Sequence, residues 1–233
     1  IAIQRDEEMV IRQMVPERPV FTIGMTTYSH IQQSKQPAHG GPNQEILCAQ
    51  SHFTIFYIGG INEPNINGID RFLLEGWPRL VSEAKLNGCK VRFVIAGNVC
   101  TALDLNRYEY IDQIDLAGYV QDPGYLYDVA DIVINPAWIG TGLKIKTVEA
   151  LSLDKILITT EKGIEGMPRS AKYACILVDT ALDMAKAILD VLLGKTDLAI
   201  LEQNRKQYIQ DFLNINYHNQ DFLAFLNNAK TLS

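Results

Sequence analysis

The sequence is short of cysteine, has no excess of basic residues and contains no long apolar run. Its four cysteines include no C-x-x-C pair, which argues against a disulfide-stapled scaffold and favours free thiols in a reducing cytosol. Asp and Glu outnumber Lys and Arg by 27 to 21, which disfavours nucleic-acid binding because neutralising phosphates needs a basic excess. No stretch reaches the roughly 18 apolar residues that indicate a membrane span. The 233 residues predict a soluble globular protein, and the missing initiator Met indicates a fragment.

Motifs that would indicate a bound metal or cofactor are missing as well. His30, His39 and His52 are 9 and 13 residues apart, which matches no metal-ligand pattern, and there is no D-x-D pair. The sequence has no G-x-x-x-x-G-K-[ST], no G-x-G-x-x-G after the first predicted strand and no G-x-S-x-G. These absences argue against a P-loop protein, a nicotinamide enzyme and the common hydrolase. We therefore predict no metal site and no cofactor.

A polar segment at residues 26–52 divides the chain. It carries only two charged side chains, Lys35 and Glu45, and is rich in Gln, Ser, Pro, Gly and His, so we interpret it as a linker. In residues 1–25 we predict a strand at 1–4, a helix at 6–15 that Asp6 caps, and a strand at 20–25. Three such elements cannot bury a core, so we expect them to be the tail of another domain.

After the linker, short apolar strands alternate with helices, which is typical of a parallel sheet with helices on both faces. The predicted strands are Phe53–Gly59, Lys90–Gly97, Asp115–Val120, Asp131–Pro136, Lys155–Thr160 and Cys175–Val178. The predicted helices are Ile69–Leu86, Asp122–Ala130, Leu143–Leu153, Leu182–Leu193, Leu198–Phe212 and Asp221–Leu232. We predict an α/β, Rossmann-like doubly wound parallel sheet over residues 53–217. Ligands of such sheets bind beyond the carboxyl ends of the strands.

The run N-P-A-W-I-G-T-G-L-K-I-K-T-V-E-A at 135–150 leads from a predicted strand into a predicted helix. The glycines of G-T-G at 140–142 remove side chains from this junction, and the first N–H groups of a helix that begins near the second glycine attract phosphate. Lys144 is expected in the first turn. The second glycine, Lys146 and Glu149 then share one helical face, so the Glu149 carboxylate would point toward the ligand and accept sugar hydroxyls.

The same residues allow a second interpretation. Lys146 and Glu149 could form a surface ion pair three residues apart, worth only a few tenths of a kcal/mol. The glycines would then only let the strand and the helix pack closely. The pattern alone does not decide between a phosphate site and packing glycines.

Several stretches occur in the order and at the separations of a known family. They are F-T-I-F-Y-I-G-G-I-N-E-P-N-I-N-G-I-D at 53–70, Trp77-Pro78, Ala96-Gly97, Gly118-Tyr119-Val120, the junction from Leu126-Tyr127 to Ala130-Asp131, G-T-G-L-K-I-K-T-V-E-A-L at 140–151, and T-T-E-K-G-I-E-G at 159–166. In these stretches the chain resembles the donor domain of the group 1 (family 4) glycosyltransferases, most strongly over residues 53–178.

The resemblance implies one half of the GT-B architecture, in which two Rossmann-like domains face each other across a cleft. Residues 1–25 would end the N-terminal acceptor domain, residues 53–217 would bind the nucleotide sugar, and a helix at 218–233 would cross back to the first domain. The implied activity is metal-independent hexosyl transfer, usually with retention, from a nucleotide-diphosphate sugar to a glycan, lipid-linked or small-molecule acceptor. Such an enzyme would be cytoplasmic or peripheral at the inner membrane face, and the fragment alone would be weak and open to self-association.

The resemblance also implies roles for residues of this chain. Glu149 would bind the nucleotide ribose, and Lys144 would neutralise the leaving phosphate, which makes these two the expected catalytic residues. The backbone at Gly142-Leu143 would face the diphosphate or the sugar. The remaining expected donor-binding residues are Gly59 and Gly60 opposite the diphosphate, Tyr119 and Val120 at the base, and Gly97, Thr141 and Lys146.

Two departures from the family pattern keep an alternative open. Thr141 stands where the first glutamate of the family's E-x7-E motif is usual, and Gly60 and Asn67 stand near the usual Arg and Lys of its phosphate clamp. Positive charge must then come from the helix end, Lys144 or Lys146. The alternative is a non-catalytic nucleotide-sugar-binding or scaffolding module. A GT-B epimerase is a third hypothesis, but it would need acid–base carboxylates and histidines that are not evident.

Overall fold

The structure, a computed structural model, describes residues 5–18, 20 and 52–213, with side chains from residue 8 onward. The predicted strand at 1–4, all but the first residue of the strand at 20–25, most of the linker at 26–52 and the C-terminal helix at 218–233 lie outside the described residues. The helix predicted at 6–15 is present as α1, Arg5–Met14, but Asp6 is its second residue and so does not cap it. Its Arg12 pairs with Glu8 at 2.7 Å and donates a hydrogen bond to the Val20 carbonyl at 2.8 Å.

Six parallel strands form one sheet in the described part of the chain, which confirms the predicted fold class. The apolar residues of β1, β2, β4 and β5 are mostly buried, as expected for strands with helices on both faces, whereas the edge strands β3 and β6 are only partly buried. The strands are β1 (Phe53–Ile58), β2 (Val91–Ala96), β3 (Ile114–Gly118), β4 (Ile132–Asn135), β5 (Leu157–Thr159) and β6 (Ile176–Leu177). The order across the sheet is β3-β2-β1-β4-β5-β6. The order therefore reverses between β1 and β4, and ligands of open α/β sheets bind at such a point.

Helices cover both faces of the sheet. They are α2 (Glu63–Arg71), α3 (Trp77–Leu86), α4 (Gly124–Val129), α5 (Ile145–Ser152), α6 (Ala171–Ala174), α7 (Ala181–Leu192) and α8 (Leu198–Tyr208). Short 3₁₀ turns lie at Asn98–Ala102, Leu105–Arg107, Ile111–Gln113 and Glu161–Ile164. One face packs around Tyr57, Ile55 and Trp77, and the other around Phe56 and Tyr127. Successive residues of β1 thus enter opposite cores.

The first helix of this domain begins earlier than predicted. The expected start was Ile69, but α2 begins at Glu63, where Asn62 caps it by accepting a hydrogen bond from the Asn65 N–H at 3.0 Å. A π-helical turn at Phe72–Gly76 joins α2 to α3. The helical pattern expected to kink or break at Pro78 is therefore interrupted by this π-helical turn, which ends two residues before the proline.

Close packing explains why α2 lies directly over the end of β4. A Cβ atom on Gly68 would lie 2.0 Å from the Pro136 carbonyl oxygen, so only glycine allows this approach. The helix therefore contacts the loop that follows β4, across the point where the strand order reverses. This places side chains of α2 beside the beginning of α5.

Candidate functional site

The junction between β4 and α5 is built around two glycines with left-handed backbone. Gly140 has φ of 93° and Gly142 has φ of 78°, a region that other residues rarely adopt. A Cβ atom on Gly140 would lie 3.0 Å from the Pro64 ring, whereas one on Gly142 would meet no atom within 4 Å. Gly140 thus packs against α2, and Gly142 borders open space.

The predicted start of α5 was wrong by a few residues. The helix begins at Ile145, and Lys144 is its N-cap with extended backbone, so Gly142 lies outside the helix. The left-handed turn at Gly142 delays the first helical residue. Gly142 therefore does not share a helical face with Lys146 and Glu149, although the glycine, the two lysines and the glutamate belong to one short segment.

Lys144 lies beside Gly142. Its ammonium donates a hydrogen bond to the Gly142 carbonyl at 2.7 Å and lies 4.0 Å from a carboxylate oxygen of Glu165. Glu165 also pairs with Lys162 at 3.0 Å, so one carboxylate is shared by two cations. Burial lowers the pKa of Lys144. The N–H groups of Thr147 and Val148 donate to the Lys144 carbonyl at 3.0 and 3.3 Å. No side chain caps α5, so the N–H groups that precede Thr147 in the helix have no intrahelical partner.

Lys146 reaches from α5 to the end of β1. Its ammonium donates hydrogen bonds to the Tyr57 hydroxyl at 3.1 Å and to the Asn65 side-chain oxygen at 2.5 Å. It also lies 4.5 Å from the centre of the Tyr57 ring. Burial, with a smaller effect of Lys144, lowers the pKa of Lys146 to about 7. The ammonium thus lies near the carboxyl end of β1, one of the two strands between which the order reverses.

Glu149 points to a different element. One carboxylate oxygen accepts a hydrogen bond from the Tyr127 hydroxyl of α4 at 3.1 Å. Burial raises the pKa of Glu149. Since Lys146 binds Tyr57 and Asn65 while Glu149 binds Tyr127, the interpretation of these two residues as a surface ion pair is wrong.

The charges at the start of α5 have the unfavourable sign for a helix. A helix N-terminus carries partial positive charge and is stabilised by anions, yet here it has lysines at the N-cap and at the second position. Acidic residues are absent from its first turn. Apart from Glu165 near Lys144, no carboxylate of the described residues pairs with either lysine. The arrangement can therefore accept an anion.

The sequence analysis missed a buried polar network that supports this junction. Asn135 donates to the Thr147 hydroxyl at 2.8 Å, and Thr147 donates to the Gly163 carbonyl at 2.8 Å. Thr159 donates to the Asn135 carbonyl at 2.8 Å, and Thr160 donates to the Ala137 carbonyl. These bonds fix α5 against the ends of β4 and β5. The available signal was the presence of polar residues at the ends of otherwise apolar strands.

The remaining predicted site residues lie on neighbouring loops. Gly59 is buried and Gly60 exposed, and a Cβ atom on Gly97 would lie 2.2 Å from the Gly59 carbonyl oxygen, so Gly59 and Gly97 pack against each other. The Val120 side chain is half-buried against the core on the Phe56 side. Leu143 also packs there, whereas Thr141 is exposed and Tyr119 is 75% exposed on the loop between β3 and α4. The structure thus brings Lys144 to Gly142 and Lys146 to the end of β1. It places the Tyr119 loop just before α4, whose Tyr127 donates a hydrogen bond to Glu149.

Two kinds of feature are absent from the described residues. They contain no group of three or more His, Cys, Asp or Glu side chains that could hold a metal ion. Within the same residues, no helix is long and apolar enough to cross a membrane.

Solved structures of glycosyltransferases share this fold. A mutant of S. aureus TarM, in complex with fondaparinux, α-GlcNAc-glycerol and UDP, has a TM-score of 0.67 at 16% identity over 97% of this chain and 43% of its own. A Rickettsia africae glycosyltransferase has a TM-score of 0.68 at 15% identity, with 100% of this chain and 63% of its own chain covered. Anabaena HepE in complex with UDP has a TM-score of 0.64 at 13% identity, with 97% of this chain and 63% of its own chain covered. The chain therefore spans about half of the length of these structures.

Comparison with curated proteins gives no sequence match. The family model of the group 1 glycosyltransferases matches residues 52–193, which is more than half of the chain and contains all six strands. The match confirms the resemblance on which the sequence analysis relied. The chain belongs to the group 1 glycosyltransferases.

Proposed function

We propose that residues 53–217 bind a nucleotide-diphosphate sugar and that the protein transfers this sugar to an acceptor. The observation that carries the proposal is the β4–α5 junction, where an uncapped helix end and two lysines gather positive charge one helical turn from a carboxylate. The HepE structures that hold UDP and UDP-glucose support the same class of donor. We propose no metal ion and no cofactor.

In this proposal each predicted residue has a position on the donor. The diphosphate lies against the Gly142-Leu143 backbone and Lys144 on one side and against Gly59 and Gly60 on the other. Lys146 lies between these two sides. The ribose hydroxyls bind the Glu149 carboxylate, and the base lies against the Tyr119-Val120 backbone. The remaining donor contacts come from Gly97 and Thr141.

The chemical step breaks the bond between sugar C1 and the diphosphate oxygen, and the electron pair leaves with the nucleoside diphosphate. The acceptor oxygen bonds to C1 on the same face, which retains the configuration, and its proton passes to the leaving phosphate. Negative charge grows on that phosphate, where Lys144 and the first N–H groups of α5 can stabilise it. A preorganised donor of this kind contributes about 3–4 kcal/mol in oxyanion sites.

The acceptor is a glycan, a lipid-linked saccharide or a small molecule, and we propose that a second domain orients it. Orientation of two reactants supplies a large part of the rate in such reactions. The fragment alone should therefore bind donor and transfer poorly, with self-association as a further proposal. We place the protein in the cytoplasm or at the inner membrane face, a proposal supported by the buried free thiols of Cys89, Cys100 and Cys175.

The experiment that tests donor binding is calorimetry of the chain with UDP-, GDP- and ADP-glucose in the presence of EDTA. We expect one nucleotide to bind at least tenfold more tightly than the others, and chelation to leave its affinity unchanged. If none of the three binds, the proposal is wrong. A requirement for added Mg²⁺ or Mn²⁺ would refute the metal-independent part alone.

The exposed Thr141, which has no carboxylate to offer the donor sugar, favours a second candidate: a non-catalytic nucleotide-sugar-binding or scaffolding module. Both functions predict nucleotide binding. Incubation of the full-length protein with the preferred donor and a panel of acceptors separates them. Transfer of labelled sugar supports the enzyme, and tight binding without transfer or donor breakdown supports the module.

A further inference from the structure

The Lys146 ammonium is held by neutral groups. Its described hydrogen-bond partners are the Tyr57 hydroxyl at 3.1 Å and the Asn65 side-chain oxygen at 2.5 Å, and the Tyr57 ring lies beneath it. Among the described residues no carboxylate lies within ion-pair distance of Lys146, whereas Lys144 and Lys162 both lie near Glu165. When protonated, Lys146 is therefore a cation without an ion-pair partner among the described residues, and Glu149 acts on it only from a longer distance.

An ammonium group has three N–H donors, so these two hydrogen bonds leave one for a ligand. Burying a cation is costly unless polar groups compensate for lost water. Two acceptors and an aromatic face provide part of that compensation. The arrangement is thus a partly satisfied buried cation with one free donor, which is what an anionic ligand requires.

The two holding residues are themselves fixed to the loop after β1. The Asn65 side-chain amide donates to the Gly60 carbonyl at 3.0 Å while its oxygen accepts from Lys146. The Tyr57 hydroxyl donates to the Asn65 carbonyl at 3.3 Å. A Cβ atom on Gly59 would lie 2.6 Å from that hydroxyl, so the glycine leaves room for it. The loop Gly59–Asn62 carries no basic side chain of its own.

We propose that Tyr57 and Asn65 are positioning residues that hold the Lys146 ammonium at the end of β1, where it supplies the cation that the Gly59–Asn62 loop lacks to the donor diphosphate. This inference rests on the proposed function. The titratable groups that face Lys146 are Tyr57 from β1, Lys144 before α5 and Glu149 on α5. Tyr57 is a neutral hydroxyl, because burial raises its pKa.

The first measurement needs no nucleotide. Acetylation of Lys146 by acetic anhydride, followed by mass spectrometry across a pH series, gives the pH at which its amine becomes reactive. We expect a midpoint near pH 7 in the parent chain. Tyr57→Phe and Asn65→Leu each remove one acceptor, so each should lower the midpoint by about half a pH unit or more. Tyr208→Phe, which removes a buried hydroxyl from α8, is the matched control and should leave it unchanged.

The second measurement is the affinity for UDP-glucose, in which the terminal phosphate is esterified and lacks the proton that a phosphomonoester loses at about pH 6. We expect the parent affinity to fall as pH rises above about 7, by up to tenfold per pH unit. Tyr57→Phe and Asn65→Leu should start this fall at lower pH. Lys146→Met should bind more weakly at pH 6 and show no fall of this kind.

The outcomes separate the inference from the function on which it rests. A labelling midpoint that both variants leave unchanged would overturn the positioning role, as would an equal loss of affinity at every pH. Failure of the parent chain to bind any nucleotide sugar would overturn the proposed function. In that case the labelling midpoint would still decide whether Tyr57 and Asn65 hold the ammonium.

Discussion

Replacing Glu149 by glutamine tests the proposed ribose contact most directly. One oxygen of Glu149 accepts from Tyr127, and the carboxylate is half-buried, so its remaining acceptor sites can serve sugar hydroxyls. A hydrogen bond to a charged group contributes about 1.5–3 kcal/mol. Glutamine keeps one oxygen but loses the charge and one acceptor. We therefore expect Glu149→Gln to weaken nucleotide binding by about 10- to 100-fold, or about 1.4–2.8 kcal/mol.

The assay is calorimetry with the preferred nucleoside diphosphate and with its 2′,3′-dideoxy analogue. The parent should lose affinity for the analogue by a factor similar to that caused by Glu149→Gln, and the variant should bind both ligands almost equally. Tyr127→Phe keeps the charge and should weaken binding much less. Glu202→Gln changes an exposed carboxylate on α8 and should have no effect.

Two results would refute the reasoning. If Glu149→Gln binds the nucleotide as tightly as the parent, the carboxylate does not contact the ligand. If the variant binds weakly but still discriminates against the dideoxy analogue, the lost contact is not to the ribose. Thermal unfolding of the variant must resemble that of the parent, because the glutamine oxygen can still accept from Tyr127.

Three further predictions concern stability. Between about pH 7 and pH 10 the folded protein should bind fewer protons than the unfolded chain, because the pKa of Lys146 falls to about 7. The free energy of unfolding should therefore rise with pH in this window by up to about 1.4 kcal/mol per pH unit, and Lys146→Met should lack this contribution. If urea unfolding at a series of pH values gives the parent and the variant the same dependence of unfolding free energy on pH, the prediction is wrong. Gly59→Ala should destabilise the protein by about 1–3 kcal/mol because its Cβ meets the Tyr57 hydroxyl, whereas Gly60→Ala meets open space and should change stability by less than about 1 kcal/mol. Thr147→Val should cost about 1–3 kcal/mol in urea unfolding, because the Asn135 amide and the Gly163 carbonyl each lose a buried partner; unchanged stability would show that the network has no energetic role.

The six strands could be predicted from the sequence because each is a short apolar run that ends at a glycine or at polar or proline residues. Their observed bounds differ from the predicted ones by at most two residues. The alternation of strands with helices predicted a parallel, doubly wound sheet, because such patterns depend on neighbours along the chain. The sequence analysis made no prediction of the order of the strands, which depends on pairing between distant segments and is known from the structure.

The beginning of α2 was harder to predict for a local reason. Asn62 and Pro64 favour turns, but Asn is also a good N-cap and Pro is common in the first helical turn. The contact of Gly68 with the Pro136 carbonyl supports the helix in the folded protein. Because these residues are far apart in the sequence, no local pattern could show that contact.

The partners of the site residues depend on the same long-range contacts. Sequence spacing predicted correctly that Lys146 and Glu149 lie in one helix. It could not show that Lys146 reaches Tyr57 and Asn65, which are 89 and 81 residues away, while Glu149 reaches Tyr127. The roles proposed for these side chains remain predictions, but their surroundings now define which substitutions test them.

The local rules that this segment breaks are an argument for its function. Lysines at the N-cap and second position of α5 oppose the helix dipole, and Lys146 is a buried cation without a carboxylate partner in the described residues. The neutral partners of Lys146 and the Glu165 carboxylate near Lys144 compensate for only part of these costs, and proteins usually keep such costs where a ligand removes them. A diphosphate at the β4–α5 junction would remove both at once. Nucleotide binding should therefore stabilise α5 itself, and amide hydrogen exchange in α5 should slow more on adding saturating nucleotide than exchange in α7.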